Sequence, residues 1–246
     1  MGQIGDQKPI PRISALVSLD GSSDSDSLWE RQVISDCETA MTGGATTLEV
    51  VANRHTLNRV VATVAGSLQY IVDALPRVQI FAPVDDVRDL SALSSIGIHS
   101  FVVNSDDVVA VFGSTIPPVD QVILRLSPST MADNSQDVSS LIMAIERLSV
   151  LAKLAPRQII ADLGHELVGD PSVAIARVRC AAQLVQHAQN EVSMFVSPAG
   201  LGTKPESEMA ETIPLAITAL MSGVTLLRTW RPEIVSVALS TLLRRI

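Results

Sequence analysis

Short apolar runs and longer amphipathic segments alternate eight times along the 246 residues. Few chain patterns restrict a fold so tightly. Runs of about four to six apolar residues fall at 13–19, 46–51, 78–82, 100–104, 121–126, 158–162, 192–196 and 224–228. They read as strands buried on both faces. Helical periodicity covers 28–42, 57–75, 86–96, 105–112, 137–154, 171–190, 206–222 and 232–245. Strictly alternating strands and helices give parallel βαβ units, and eight such units favour a closed (β/α)8 TIM barrel over an open sheet. Residues 1–11 read as a flexible tail and 12–246 as a single barrel domain. Asp137, Asp170-Pro171 and Arg231-Pro232 mark helix starts.

Aromatic residues make up only 3% of the chain and hydrophobic residues 47%, so the core must be aliphatic. A net charge of −8 argues against a nucleic-acid or anionic-membrane partner while leaving room for a local anion site. The apolar runs are too short and too often interrupted by charge to span a bilayer, and no secretory leader is evident. A cytoplasmic location is the expectation. The two cysteines, Cys37 and Cys180, have no paired spacing, and the histidines His55, His99, His165 and His187 have no ligand spacing. Neither pattern points to a metal.

In a parallel barrel the C-terminal strand ends share the face where chemistry is done. Glu49, Asp85, Asn104, Asp162 and Arg228 all fall at predicted strand ends. A buried Asp162 can take paired N–H donors from a planar heterocycle, or cap a turn. Asp85 reads the same way, with Asp86 the competing helix cap. The Asn104 amide can meet a ring edge or brace a turn. Arg228 can stack on an aromatic ligand, hold a phosphate, or pair with Glu49 or Asp162 across the barrel top. Three loops would rise on the same face: 20–27 with Asp20 and Asp24, 52–56 with Arg54 and His55, and 197–205 with Ser197 and Lys204. Each is either a set of ligand contacts or a solvated connector.

In their order, these pieces resemble the dihydropteroate synthase family, over about Ile13 to Ile246. Residues 15–24 (ALVSLDGSSD) resemble its Leu-Asn-Val-Thr-Pro-Asp-Ser-Phe-Ser-Asp opening. Residues 44–49 (GATTLE) resemble Gly-Ala-Asp-Ile-Ile-Asp, Pro83-Val84-Asp85 resembles Ser-Val-Asp-Thr, and Asp162-Leu163-Gly164 resembles Asp-Pro-Gly. Val196-Ser197 keeps the start of Ser-Arg-Lys, and Leu227-Arg228-Thr229-Trp230 resembles Val-Arg-Val-His. The family joins a dihydropterin pyrophosphate to para-aminobenzoate with Mg²⁺. The resemblance therefore implies a pterin pocket built from Asp85, Asn104, Asp162 and Arg228. It also implies Mg²⁺ only if synthase activity persists, and a homodimer or a dimer with a paralogue.

Departures cluster where the family handles the leaving group. Its first-strand Asn falls at Leu16, its Ser-Arg-Lys lysine at Ala199, its fifth-strand His near Arg125 and its last His at Trp230. Its Ser-Thr-Arg-Pro-Gly loop is replaced by residues 52–57 (ANRHTL). Removing one preorganised charge contact costs on the order of 10²–10³ in rate. The expectation is a pterin-binding barrel weak or inactive as a transferase. Two other readings stay open: an active divergent synthase or folate-dependent methyltransferase, and a non-catalytic partner or regulatory subunit.

Overall fold

Every strand pairs in parallel with its neighbours in sequence, and β1 closes on β8. The order round the barrel is β1-β2-β3-β4-β5-β6-β7-β8. The strands are β1 Arg12–Ser18, β2 Thr47–Val51, β3 Gln79–Pro83, β4 Ser100–Asn104, β5 Gln121–Arg125, β6 Ile159–Asp162, β7 Glu191–Phe195 and β8 Leu226–Thr229. Closure rests on the register Arg12↔Leu226 through Ala15↔Thr229. The structure is a computed structural model, and it describes residues 11–18, 26–51, 69, 71–75, 77–114, 117–125, 136–163, 171–187, 191–196 and 205–244.

All eight expected strands are present, each within two residues of its predicted ends. Helices Asp26–Thr42, Val87–Ser95, Val108–Phe112, Gln136–Ala152, Pro171–His187, Pro205–Met221 and Pro232–Leu243 fill the intervals. Of the helix expected at 57–75, residues 69 and 71–74 are described and helical. The helix marked by Asp137 begins one residue earlier, at Gln136. Among the described residues no helix is long and apolar enough to cross a membrane.

Side-chain alternation sorts the strands into two faces. Outward residues such as Leu48, Phe101, Leu124, Val192 and Leu227 pack with helix residues including Leu141, Leu184 and Val235. Ala181, Ala216, Ala219 and Ala238 are fully buried, and small residues there let the helices lie close to the sheet. Inward residues form a separate, smaller cluster of Phe81, Val102, Ile123, Ile160 and Leu226.

That apolar layer divides two polar ones. At the N-terminal end, Arg12 donates to Gln79 and Gln121 at 3.3 Å each and to Glu191 at 2.6 Å. Gln79 in turn donates to Ser100 at 2.9 Å and to Gln121 at 3.1 Å. These residues open β1, β3, β4, β5 and β7, so they plug the end opposite the expected site. At the C-terminal end, the same alternation brings charged side chains inward.

Candidate functional site

Glu49, Arg125, Asp162 and Arg228 lie at or one to two residues from the C-terminal ends of β2, β5, β6 and β8. All four are inward positions of their strands. Arg228 has 0% exposure, Asp162 0% and Glu49 1%. An isolated ion so buried would be strongly disfavoured, so each must find opposite charge and hydrogen bonds.

Arg228 meets that demand with all three of its nitrogens. Nε donates to Glu49 Oε2 at 2.6 Å, Nη2 to Glu49 Oε1 at 2.5 Å and Nη1 to Asp162 Oδ2 at 2.5 Å. The contact with Glu49 is the two-pronged form a guanidinium makes with a carboxylate. Arg125 joins from across the barrel, donating through Nη2 to Glu49 Oε1 at 2.9 Å, with Nε 3.6 Å from Asp162 Oδ2. Ser193 Oγ donates to the other Asp162 oxygen, Oδ1, at 2.8 Å. Two carboxylates and two guanidinium groups thus form one neutral ring, set directly on the apolar layer.

The two arginines respond in opposite directions. Burial alone would lower the pKa of Arg228, but the charges of Asp162 and Glu49 and their hydrogen bonds outweigh it, and the shift is upward. For Arg125 burial dominates, the charge of Arg228 adds to it, and Glu49 and Asp162 do not make up the difference, so the shift is downward. Arg228 is anchored on three sides. Arg125 is held more loosely.

Of the residues expected to share a pocket, Asp162 and Arg228 are brought into direct contact. Asn104 closes β4 and registers beside Arg125, and Asp85 lies two residues past the end of β3. Asp85 is exposed beyond the end of β3, and its backbone N–H donates to Asp89 at 3.3 Å. Asp86 is the helix cap, accepting from the Arg88 backbone at 2.8 Å. The half-buried Asn104 donates through Nδ2 to Asp107 at 3.0 Å, bracing the turn after β4. Asp20, Asp24, Arg54, His55, Ser197 and Lys204 lie outside the described residues.

Arg125 and Ser193 carry parts of the site that were not assigned from sequence. Arg125 registers beside Asp162, and Asp162 beside Ser193, on neighbouring strands. Strand parity was the available signal. Counting inward from the apolar cluster places both on the inner face.

The described residues do not fit a Mg²⁺ ion. The position that the resemblance gives to a metal-placing Asn is Leu16, a buried side chain with no donor atom. Among the described residues no cluster of three or more His, Cys, Asp or Glu could hold a metal.

No protein-family description matches the chain, and no curated protein matches it. Solved structures do. Dihydropteroate synthase from Xanthomonas albilineans, in complex with 7,8-dihydropteroate, superposes with a TM-score of 0.76 at 16% identity, covering 96% of this chain and 94% of that one. The Coxiella burnetii enzyme with pteroic acid gives 0.74 at 16% identity, covering 96% and 93%. The Anaplasma phagocytophilum enzyme with 6-hydroxymethylpterin-monophosphate gives 0.70 at 14% identity, covering 96% and 99%. With closed eight-strand topology and near-complete coverage of both chains, this protein has the fold of the dihydropteroate synthases.

Proposed function

We propose that the chain is a dihydropteroate-synthase-like protein that is weak or inactive in joining a dihydropterin pyrophosphate to para-aminobenzoate. In this reading its mouth keeps an acid–arginine pair able to recognise a pterin-like ring. The observation that carries the reading is the state of Arg228: all three nitrogens are committed to Glu49 and Asp162. A guanidinium so engaged spends three of its five N–H donors on carboxylates that already match its charge, which leaves less of it for a departing diphosphate. The ring of four side chains is neutral, so it offers no net positive field to a polyanion. The buried, apolar Leu16, where the resemblance puts a metal-placing Asn, supports the same conclusion. Recognition of the heterocycle is assigned to Asp162 and Arg228, with Asn104 and Asp85 at the rim.

Two measurements test the two halves. Product formation with Mg²⁺, dihydropterin pyrophosphate and para-aminobenzoate should not rise above that of an Arg228→Ala variant. Robust turnover by the parent, lost in the variant, would overturn the inactive half. A reduced pterin should raise thermal stability, because a ligand present at 100 times its Kd stabilises by about 2.7 kcal/mol. Unchanged stability at millimolar pterin would overturn the binding half. Turnover with a methylated folate and a corrinoid protein would move the assignment to the methyltransferase reading.

A second reading, as a partner subunit or homodimer, is favoured by a separate observation. Met221, Val237 and Leu243 are 76%, 48% and 54% exposed on the adjacent helices Pro205–Met221 and Pro232–Leu243. No charged residue occurs between Thr212 and Leu227. Light scattering over a concentration series should report a dimer; a monomer at every concentration would reject the homodimer.

A further inference from the structure

Glu49 and Asp162 share two guanidinium groups, and the two are held unequally. Arg228 is wholly buried and makes three hydrogen bonds of 2.5–2.6 Å. Arg125 makes one at 2.9 Å, and its closest approach to Asp162 is 3.6 Å. Among the described residues its buried Nε has no hydrogen-bond partner, the Asp162 oxygen at 3.6 Å lying just too far. Its side chain is 21% exposed, the most of the four. A brace evolved only for stability would be expected to satisfy that donor, since an unmet buried N–H is costly.

We propose that Arg125 is an internal occupant of the barrel mouth, displaced when a planar ligand with an amidine-like donor edge binds. Its guanidinium presents parallel N–H donors to Glu49 and Asp162. A guanidine, or the amino-pyrimidine edge of a heterocycle, presents the same pattern to a carboxylate. With Arg125 in place the ring is neutral. With Arg125 swung outward, Glu49, Asp162 and Arg228 sum to one negative charge, a hole matched to a flat cation or multi-donor edge. Burial first, and then the charge of Arg228, oppose the charged form of Arg125 in this place, against the pull of Glu49 and Asp162, so its hold is the weaker of the two arginines'. Arg125 is the last residue of β5, so only the final strand residue need change its side-chain course. Arg125 thereby sets both the affinity and the chemical selectivity of the mouth. The inference rests on the ring-binding reading only in naming a pterin-like ring as one competitor.

The test uses the full chain with Arg125→Ala and guanidinium chloride at low millimolar concentration as the probe. Sodium chloride at equal ionic strength is the control. The thermal midpoint of Arg125→Ala should rise saturably with guanidinium, that of the parent should not, and adding Glu49→Gln should abolish the effect. Reduced pterin should bind Arg125→Ala about tenfold or more tightly than the parent, because the open state need no longer be drawn from a minor population. Arg125→Gln, shorter and uncharged, is the second variant and should respond in the same direction. Equal responses to guanidinium and sodium, or equal responses in parent and variant, would overturn the proposal. So would failure of both variants to fold, since the mouth could then not stand open. Saturable guanidinium binding with no pterin binding to either protein would keep this inference and sink the ring-binding reading. Equal pterin binding to both proteins, with guanidinium inert, would do the reverse.

Discussion

Arg228 is the side chain on which the mouth depends, and lysine cannot replace it. A lysine carries one compact charge with no planar fork, so it cannot serve Glu49 on two prongs and Asp162 on a third. Removing a single partner from a buried pair leaves an uncompensated charge. Arg228→Met and Glu49→Gln should each cost about 3–5 kcal/mol, and Arg228→Lys, which keeps the charge but loses the fork, should cost less than Arg228→Met, each read as a fall in denaturant midpoint at unchanged slope. A loss below about 1 kcal/mol would mean that the pair is solvated. A different residue gives the pH dependence. The Cys37 thiol is pushed up to about 12 from 9.0 by burial, with Asp36 and Glu38 adding their charge. A raised folded-state value means that its contribution is complete below the unfolded value and is lost as pH climbs towards the folded one. Stability should therefore decline between about pH 9 and 12, and Cys37→Ala should flatten that part of the profile. An unchanged profile would show that other groups control the alkaline limb.

At the scale of elements, the turns from helix to strand set where each strand begins, and they share one device. Gly44 has φ 100° and Gly223 φ 94°. In both turns the chain reverses through a hydrogen bond spanning five residues, Ala45 to Ala40 at 3.1 Å and Val224 to Ala219 at 3.1 Å. A Cβ on Gly44 would lie 2.7 Å from Ser236 Oγ, and one on Gly223 would lie 2.8 Å from a Val185 methyl. After the Gln136–Ala152 helix the same left-handed region is occupied by Lys153, with φ 53°. Lys153→Gly should accordingly stabilise the protein by up to about 1 kcal/mol, by relieving a penalty that L-residues carry in that region. The Asp86 cap runs the other way: Asp86→Ala should cost about 1 kcal/mol, because the Arg88 N–H loses its acceptor. Thermal melts of the two variants should move in opposite directions, and parallel shifts would contradict the capping geometry.

For the whole molecule, the barrel was legible in the sequence because burial on both faces leaves short uniform apolar runs, which helical periodicity then separates. The inward charges at Asp162 and Arg228 were legible as groups ending such runs. How they meet was not. Glu49 and Arg228 are 179 positions apart, and only closure of β1 on β8 gives the sheet the curvature that brings them together. Arg125 stands near the position that the resemblance gives to a histidine, and nothing local in the sequence says that its side chain will cross the barrel. The polar plug of Arg12, Gln79, Gln121 and Glu191 went unassigned as well, although each residue opens its strand and that recurrence was visible. The fold therefore carries polar layers at both ends of an apolar one, and the upper layer is committed to itself before any ligand arrives. A double-mutant cycle between Glu49→Gln and Arg228→Met, followed by chemical denaturation, tests that commitment most directly. The two losses should fall short of additivity by about 1–3 kcal/mol, as for groups that share a buried contact; additivity within about 0.5 kcal/mol would contradict the closed ring.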